Sequence, residues 1–264
     1  MKPRWQPSVA LEDRALAYGD GCFETLRVRG GHAPLGAYHR RRLIRAATTL
    51  GIPLDPSALD RAIAEAGQDE CVLKLVLSRG VGGRGYGLPP VPEPVLYAAR
   101  HPYTPPSSRL RQQGLRLSLS PVRLADQPRL AGLKHLNRLE QVLGRASLAP
   151  GADEVLMLDR CGRPVELGAM NLFLVRDGIL CTPALDRCGV AGVAREYLLD
   201  TLAPSLGLEA RIAPLSLEQL RRAHEVFACN SVAGILPVRT LGLWHWRTGE
   251  VTRTLARGLD ALWQ

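Results

Sequence analysis

The chain has 264 residues and a formal net charge of +9 at pH 7, with 46% hydrophobic and 22% charged residues. Such a chain can bury the core of one large globular domain or of two smaller ones. It contains no apolar run of about 18 residues, so no transmembrane helix is expected, and its first residues lack the apolar core of a signal peptide. The six cysteines show neither a C-x-x-C pair nor a metal-ligand spacing. We therefore expect reduced thiols in a cytoplasmic protein that binds neither a metal nor a membrane.

The excess positive charge points to an anionic partner. A nucleic acid is one candidate, but the arginines are spread along the chain, and aromatic residues make up only 5% of it, too few for an obvious base-stacking surface. The glycine-rich residues 80–87 form neither a P-loop nor a dinucleotide-binding G-x-G-x-x-G motif. We therefore expect a small anionic substrate and no nucleic-acid partner.

The apolar pattern divides the chain into two α/β parts. The first, residues 1–113, is predicted to contain strands near residues 21–29, 72–78 and 95–100 and helices near residues 38–51 and 56–66. The apolar side of the first helix consists of Leu43, Ala46, Ala47 and Leu50, and Gly51 ends that helix. Three prolines and two serines predict a loop over residues 101–108.

Residues 114–130 connect this domain to a larger one, residues 131–264. The stretch 120–132 carries two prolines and a glycine, which predicts irregular structure. An amphipathic helix is predicted from about residue 136 to residue 149, with an apolar face formed by Leu136, Leu139, Val142 and Leu143.

Two hairpins of antiparallel strands follow that helix. Residues 154–159 and 163–166 form the first, and residues 171–175 and 179–182 form the second, with Asp177-Gly178 as a turn signal. A helix after Gly192, a helix over residues 216–222 and a strand over residues 225–229 complete the predicted elements of this domain.

Lys134 lies in an apolar stretch between Leu133 and Leu136, where a surface lysine is unexpected. A lysine whose pKa is lowered by burial or by cationic neighbours can form a Schiff base with an aldehyde. Considered alone, a lysine at the start of a helix is more often a solvated side chain. The residue by itself does not decide between these interpretations.

Glu166 closes a predicted strand, and the residues that follow it, Leu-Gly-Ala-Met, are small or uncharged. Such a segment allows the backbone to pass close to a flat ligand. A carboxylate there would hold the proton on the pyridine nitrogen of pyridoxal phosphate (PLP), which acts as an electron sink only while that nitrogen is protonated. The alternative is an ordinary carboxylate at a strand edge.

Three segments are candidates for binding a phosphate group. Residues 189–192 form a glycine-bearing turn that opens a helix, and the free N–H groups at a helix start attract anions. Ser231 follows an apolar strand directly after Asn230, and Arg42 offers a planar guanidinium. A plain loop-to-helix junction and a solvated arginine-rich helix face are the respective alternatives for the turn and for Arg42.

Together these segments resemble the fold-type IV PLP enzymes, over roughly residues 10 to 240. The motifs that carry the resemblance are Ala17-Tyr-Gly-Asp-Gly-Cys-Phe-Glu-Thr25, His39-x-x-Arg42-Leu43, Ser78-Arg-Gly80, Gly83-Arg-Gly-Tyr86, Leu133-Lys-His-Leu-Asn137, Glu166 with Asn171-Leu-Phe, and Gly189 with Gly192-Val-x-Arg195. This group contains branched-chain and D-amino acid aminotransferases and aminodeoxychorismate lyases. The runs LKLVLSRGVGGRGYG, LSPVRLADQPRLAGLKHLNRLEQVLGRA and DEVLMLDRCGRPVE are similar to the lyases in particular.

The resemblance implies a mixed α/β fold of two domains, with a smaller N-terminal domain, a C-terminal domain rich in antiparallel strands, PLP between them, and a homodimer. It makes Lys134 the catalytic Schiff-base lysine and Glu166 the partner of the pyridine nitrogen. The other cofactor-binding residues that it implies are Arg42, the N–H groups of Val193 and Ala194, Ser231 with the adjacent Asn230, and Val190 against the cofactor face.

For the substrate, the resemblance implies that Arg84 binds a carboxylate and that Phe23 lines the site. Phe23 stands where the aminotransferases have an active-site tyrosine, and Ala194 stands where many relatives have threonine. The first departure favours a lyase, which would convert 4-amino-4-deoxychorismate to 4-aminobenzoate and pyruvate in folate biosynthesis. An aminotransferase for D-amino acids or branched-chain amino acids is the alternative on the same scaffold.

Overall fold

The computed structural model describes residues 1–5 and 8–263, and these residues form two compact units. Unit 1 comprises Met1–Thr104 and Leu133–Asn137, and unit 2 comprises Pro105–Gly132 and the chain from Arg138 onward. The mixed α/β class predicted from the sequence is confirmed. Over the described ranges, no helix combines the length and the apolar character needed to cross a membrane.

The described part of unit 1 contains a four-stranded sheet and three helices. In chain order these elements are β1 (Arg4–Trp5), α1 (Arg14–Tyr18), β2 (Gly21–Val28), α2 (Gly36–Leu50), α3 (Ala58–Glu65), β3 (Cys71–Ser78) and β4 (Val95–Pro102). The strand order is β1-β4-β3-β2, with β2, β3 and β4 antiparallel and β1 parallel to β4. The predicted strands and helices of this part are confirmed, although β4 continues two residues into the predicted loop. The sequence pattern did not identify β1 or α1, which are too short to show a period.

The unit 1 sheet buries one face against its helices. Successive side chains of a strand point to opposite faces, and on β2 the residues Glu24, Leu26 and Val28 are buried while Phe23 is only partly so. The helix α2 packs on β2 with the predicted apolar side, of which Leu43, Ala46 and Ala47 are buried. Glu24 and Phe23 therefore lie on opposite faces of the same strand.

Unit 2 is built around a large sheet. Its elements are α4 (Ser108–Gln113), β5 (Leu115–Leu124), α5 (Leu139–Ala146), β6 (Glu154–Asp159), β7 (Pro164–Leu167), β8 (Asn171–Arg176), β9 (Ile179–Pro183), α6 (Val193–Tyr197), α7 (Ala203–Ser205), β10 (Ala210–Ala213), α8 (Leu217–Arg221), β11 (Glu225–Asn230), β12 (Gly234–Leu241), β13 (Trp244–His245) and α9 (Glu250–Asp260). A π-helical turn, Leu198–Leu202, joins α6 to α7, so the chain is helical from Val193 to Ser205.

The unit 2 sheet closes on itself. Its strands follow the order β8-β11-β12-β5-β6-β7, and β7 pairs again with β8 through Glu166 and Asn171. The strand β5 is parallel to β6 and β12, and the other neighbours in this ring are antiparallel. Buried apolar residues such as Leu172, Leu236 and Val238 form one continuous core. The closure places Glu166 opposite the first residue of β8.

Both predicted hairpins of unit 2 are confirmed. The strand β7 returns antiparallel to β6, and β9 returns antiparallel to β8. In the second hairpin, Asp177 and Gly178 have φ values of 52° and 77°. A two-residue turn with positive φ at both positions matches the twist of the flanking strands, which is the reason that Asp-Gly signals it.

Near residue 134, one prediction is wrong, and another is confirmed with shorter bounds. Residues 120–124, predicted to be irregular, continue β5, and Pro121 falls at a register shift between β5 and β6, a position at which a sheet tolerates proline. The helix predicted from about residue 136 to 149 extends only from Leu139 to Ala146. Its apolar face points outward: Leu139, Val142 and Leu143 are 73%, 58% and 58% exposed.

The orientation of α5 has a steric cause. Gly144 is the residue of α5 that is buried, and a Cβ atom there would lie 2.6 Å from the Sδ atom of Met157. The helix thus approaches the sheet closely through a small residue, and its longer apolar side chains are left on the other side.

Candidate active site

Lys134 is held in place by the edge of β2. The N–H of Phe23 donates to the carbonyl of Lys134 at 2.9 Å, and the N–H of Leu136 donates to the carbonyl of Gly21 at 3.1 Å. Leu133, the preceding residue, is 3% exposed and anchors the segment in unit 1. Lys134 is therefore partly buried on an extended segment rather than solvated at a helix start.

The ammonium of Lys134 lies over an aromatic ring. Its Nζ atom is 4.4 Å from the centroid of the Phe23 ring, which is within range of a cation–π interaction. The Nζ atom of Lys74, on the neighbouring strand β3, is 5.9 Å from the same centroid. Lys74 was not predicted as a site residue. The alternation Leu73-Lys74-Leu75 in a strand was the signal that could have found it, because it places a lysine on the less buried face of the sheet.

Arg42 belongs to a buried cluster on the opposite face of β2. Its Nε atom donates to Oε1 of Glu24 at 2.8 Å, and its Nη2 atom donates to Oε2 at 2.5 Å. His39, one turn earlier on α2, contacts the same carboxylate through Nδ1 at 2.6 Å. Arg42, Glu24 and His39 are 4%, 1% and 1% exposed. This bidentate pair orients the guanidinium, and neither Glu24 nor His39 had been assigned a role from the sequence.

Glu24, His39 and Arg42 influence each other's protonation states. Burial by itself would raise the pKa of Glu24, but the adjacent guanidinium of Arg42 and the His39 ring lower it to about 2. Burial also lowers the pKa of His39, which the Glu24 carboxylate opposes and the charges of Arg42 and Lys134 reinforce. We therefore assign Glu24 as ionised and His39 as neutral near pH 7, with the His39 Nδ1–H donating to Glu24.

Glu166 is the centre of the predicted site residues in unit 2. The carboxylate is 4% exposed, and its Oε2 atom accepts the N–H of Val190 at 2.7 Å. Its Oε1 atom accepts the side-chain amide of Gln141, on α5, at 3.2 Å. Burial lowers the pKa of the nearby Arg138, and the charge of Glu166 acts in the opposite direction. A carboxylate held in this way is fixed in orientation and lies next to a positive charge.

The turn over residues 189–192 requires its two glycines. Gly189 has a φ of +83°, and a Cβ atom there would be 3.3 Å from Oε2 of Glu166. A Cβ atom on Gly192 would be 1.9 Å from Oδ1 of Asn171, whose amide donates to the carbonyl of Val190 at 2.8 Å. The N–H of Gly132 donates to the carbonyl of Gly189 at 2.9 Å. Larger residues are excluded at Gly192 by the Asn171 side chain, and at Gly189 by the positive φ and by Leu185 and Val165, each 2.8 Å from a Cβ atom.

The predicted phosphate-binding residues of unit 2 lie at the start of the helical segment and at the end of β11. Val193 and Ala194 are the first residues of that segment, with exposures of 1% and 0%. The first N–H groups of a helix have no partner within the helix and carry its positive dipole end. Ser231 is the residue directly after β11.

Two polar residues near this helix start have structural contacts. Arg195 donates to Oγ1 of Thr182 at 3.1 Å and to the carbonyl of Pro183 at 2.9 Å, so it ties α6 to β9. Asn230 accepts the N–H of Ala233 at 2.7 Å and donates to the carbonyl of Ala169 at 3.1 Å. Its carboxamide shapes the turn that carries Ser231.

The structure thus groups the predicted residues into two sets. Unit 1 brings together Lys134 and Phe23 and, on the other face of β2, holds Arg42; the exposed Arg84 lies on a glycine-rich loop. Unit 2 brings Val190 into contact with Glu166 and carries the remaining residues, Val193, Ala194, Asn230 and Ser231.

The family pattern described as amino-transferase class IV matches residues 21–241, so the chain belongs to that family. An aminodeoxychorismate lyase of Vibrio harveyi is 37% identical over 97% of this chain and 97% of its own length. The crystal structure of 4-amino-4-deoxychorismate lyase from Pseudomonas aeruginosa matches with a TM-score of 0.92 and 46% identity, over 97% of this chain and 95% of that one. A hypothetical aminotransferase from Mycobacterium tuberculosis, in a PLP-bound form, matches with a TM-score of 0.83 and 25% identity, over 97% and 93% of the chains. The predicted family resemblance is confirmed.

The residues present fit the cofactor of this family, and PLP dependence is confirmed. An amine for the aldehyde is present in Lys134, and a buried, oriented carboxylate for the pyridine nitrogen is present in Glu166. The backbone passes close to Glu166 and Asn171 at residues 189 and 192, where only glycine, which has no side chain, fits. The start of the helical segment at Val193 supplies N–H donors suited to a phosphate.

The first prediction concerns the buried pair of Glu24 and Arg42. We expect Glu24→Gln to lower the free energy of unfolding at pH 7 by about 3–5 kcal/mol, because a buried guanidinium loses its counter-charge. The pKa of Glu24 is depressed from 4.5 to about 2, so the stability that ionised Glu24 contributes is present above pH 4.5 and is lost as the pH falls towards 2. Denaturant titrations at pH 7, 5 and about 3 measure the difference between the two proteins. A difference that stays constant over this range would contradict the depressed pKa.

Proposed function

We propose that the protein is a PLP-dependent lyase that converts 4-amino-4-deoxychorismate to 4-aminobenzoate and pyruvate, a step in folate biosynthesis. The observation that carries this proposal is the match over 97% of the chain to two proteins named as lyases for this compound, at 37% and 46% identity. The predicted site residues carry an amine, Lys134, and a buried carboxylate, Glu166, which are chemical groups that this reaction requires.

Lys134 and Glu166 are the central residues of the proposal. Bound PLP would supply an electron-withdrawing ring that stabilises negative charge on the substrate carbon next to the amine. We propose that Lys134 holds the cofactor through its Nζ atom and that Glu166 holds the proton on the pyridine nitrogen. The hydrogen bonds from Val190 and Gln141 orient the Glu166 carboxylate for that role.

The phosphate group of PLP requires several hydrogen-bond donors or positive charges. We propose that the N–H groups of Val193 and Ala194 and the hydroxyl of Ser231 bind it, together with the charge of Arg42. Asn230 would contribute by shaping the turn that carries Ser231, and Val190 would pack on the cofactor face. Arginine suits phosphate because its donors are planar and fixed, and Glu24 fixes this guanidinium further.

Lys134 is also the proposed proton carrier. With the substrate amine bound to PLP in its place, the Nζ atom of Lys134 would be free to act as a general base and remove the proton from C4 of the substrate. The bond between the adjacent ring carbon and the enolpyruvyl oxygen then breaks, and the ring becomes aromatic. Lys134 returns a proton to the methylene carbon of the leaving enolpyruvyl group, which becomes pyruvate, so that atoms and protons balance.

The substrate carries two carboxylates, and unit 1 offers two cations for them. Arg84 is the residue that the family resemblance assigns to a carboxylate. Lys74 lies beside Phe23, as Lys134 does, and we propose it as a second carboxylate-binding residue. Phe23 itself lacks the hydroxyl of the aminotransferase tyrosine, and its ring leaves the Lys134 amine beside an apolar surface.

We further propose that the protein works as a homodimer in the cytoplasm, as the resemblance implies. The outward-facing Leu139, Val142 and Leu143 of α5 form an apolar surface of the kind that marks protein contacts, and equilibrium sedimentation would measure the association. The six cysteines are free thiols, as in a reducing compartment.

The second candidate function is amino-acid transamination. The match to an aminotransferase, at 25% identity and a TM-score of 0.83, favours it. Both reactions begin with proton removal by Lys134, so neither Lys134 nor Glu166 distinguishes between them. Phe23 favours the lyase.

A direct assay separates the two functions. We expect the purified protein with PLP to release pyruvate and 4-aminobenzoate in equal amounts from 4-amino-4-deoxychorismate, at a rate that does not depend on an added keto acid. A transaminase requires that acceptor for turnover. Turnover of D-alanine or leucine only in the presence of a keto acid, without release of 4-aminobenzoate, would overturn the lyase assignment.

A second experiment locates the cofactor. We expect borohydride reduction of the protein loaded with PLP to attach the cofactor irreversibly to Lys134, as peptide mapping would show. Lys74 is the matched control, because its ammonium approaches the same aromatic ring. Lys74→Ala should retain the label on Lys134, whereas Lys134→Ala should lose it. Label on Lys74, or on no lysine, would contradict the site.

A third experiment tests the carboxylate. Glu166→Gln keeps the shape of the side chain but gives up the charge that holds the pyridine proton. We expect it to bind PLP and substrate and to release pyruvate at least roughly a hundredfold more slowly, which corresponds to about 2.7 kcal/mol. The control is Glu154→Gln, another buried carboxylate, on β6, which should leave the rate unchanged in stopped-flow measurements. Equal rates for Glu166→Gln and the native protein would reduce Glu166 to a strand-edge carboxylate.

A further inference from the structure

The loop over residues 82–88 exposes its side chains to solvent, while hydrogen bonds hold its backbone in place. Four of its seven residues are glycine, the residue type that loses the most conformational freedom on folding. Arg84 is exposed, and Tyr86 is 86% exposed. Few side chains of this loop are therefore buried to hold it, and its order depends on contacts made to its backbone.

One buried guanidinium makes most of those contacts. Arg14, the first residue of α1, is 3% exposed. Its Nη1 atom donates to the carbonyls of Gly85 and Gly87 at 3.3 and 3.0 Å, and its Nη2 atom donates to the carbonyl of Tyr86 at 3.4 Å. Three consecutive carbonyls thus face one planar group with five N–H donors. A lysine has a single ammonium and does not reproduce this fork.

The helix α1 supplies two further contacts to the loop. The N–H of Gly85 donates to the hydroxyl of Tyr18 at 3.1 Å, and the rings of Tyr18 and Tyr86 meet edge to face at 5.5 Å. A Cβ atom on Gly82 would lie 2.7 Å from the Cδ atom of Arg14. The loop therefore lies directly on the Arg14 side chain.

On the side away from the loop, Arg14 is held by a network of ion pairs. Its Nε atom donates to Oδ2 of Asp20 at 2.8 Å, and Arg79 donates to the same carboxylate at 2.7 and 3.0 Å. Arg79 also donates to the carbonyl of Leu50 at 2.7 Å and to that of Gly51 at 2.8 Å, at the end of α2. Burial would raise the pKa of Asp20, but the hydrogen bonds from Arg79 and Arg14 lower it. This network links the end of α2 to the glycine-rich loop through charges that remain paired.

We propose that Arg14 is a positioning residue for substrate recognition: its guanidinium fixes the backbone of residues 82–88 so that Arg84 meets a substrate carboxylate in one orientation. This inference rests on the proposed function, in which Arg84 binds that carboxylate. Arg14 itself touches neither substrate nor cofactor, and it acts through the three loop carbonyls. The entropic cost of ordering a glycine-rich loop is then met on folding rather than on binding, which lowers KM.

The test uses Arg14→Lys in the full-length protein loaded with PLP. The variant keeps a positive charge beside Asp20 but loses the fork to the loop. We expect amide hydrogen exchange in residues 82–88 to become about tenfold faster, with exchange in α2 unchanged. We expect the KM for 4-amino-4-deoxychorismate to rise about tenfold, with kcat within about twofold and the PLP absorbance unchanged.

A double-mutant cycle identifies the route. If Arg14 acts through Arg84, then Arg14→Lys combined with Arg84→Ala raises KM no further than Arg84→Ala alone. Tyr18→Phe, which leaves the Arg14–Asp20–Arg79 network intact, should shift exchange and KM in the same direction by a smaller factor, and it serves if Arg14→Lys folds poorly. Unchanged loop exchange, an unchanged KM or additive effects in the cycle would each overturn the proposal. If the unmodified protein had no lyase activity, the proposed function would be overturned instead. The two outcomes can be told apart because the hydrogen-exchange measurement requires no turnover.

Discussion

The arrangement of unit 2 depends on one buried carboxylate. Glu166 is the last but one residue of β7, where the ring of strands closes on β8, and its two oxygens receive a backbone N–H from Val190 and an amide from Gln141. A buried charge is stable only when its hydrogen-bonding capacity is used. The strand, the helix α5 and the turn before α6 are therefore bound to the same group. The glycines of that turn allow the backbone to come this close.

In unit 1, side chains alternate between the two faces of β2, so two adjacent residues contact different functional groups. Glu24, on the buried face, pairs with Arg42 and His39 in a buried cluster. Phe23, one residue earlier, faces the other way and carries the ammonium of Lys134 on its ring. The low exposure of Glu24 and Arg42 strengthens their pairing, whereas the amine of Lys134 stays beside an apolar and partly open surface. The amine of Lys134 and the guanidinium of Arg42 thus contact two adjacent residues of β2, Phe23 and Glu24.

Relatives of this chain are named as lyases and as aminotransferases. In the proposed function, the two reactions differ through the groups around the Lys134 amine: Phe23 in place of the aminotransferase tyrosine, and Lys74 and Arg84 as the proposed partners of two substrate carboxylates. Three buried arginines of unit 1 are paired with carboxylates: Arg14 and Arg79 with Asp20, and Arg42 with Glu24.

The sequence by itself determined the local structure and the chemical inventory. Turn residues specified the hairpin at Asp177-Gly178, helical spacing specified the apolar side of α2, and the motifs around Lys134 and Glu166 indicated the family, because these signals are contained within short segments. Only the tertiary structure decided the partners. Glu24 meets Arg42 across 18 residues, Gln141 meets Glu166 across 25, and Arg14 meets Gly85 across 71. Periodicity also indicated an apolar face on α5 but not its direction, which close packing at Gly144 turned outward. Contacts between distant segments depend on how strands pair and how closely backbones approach, and neither is encoded in a local pattern.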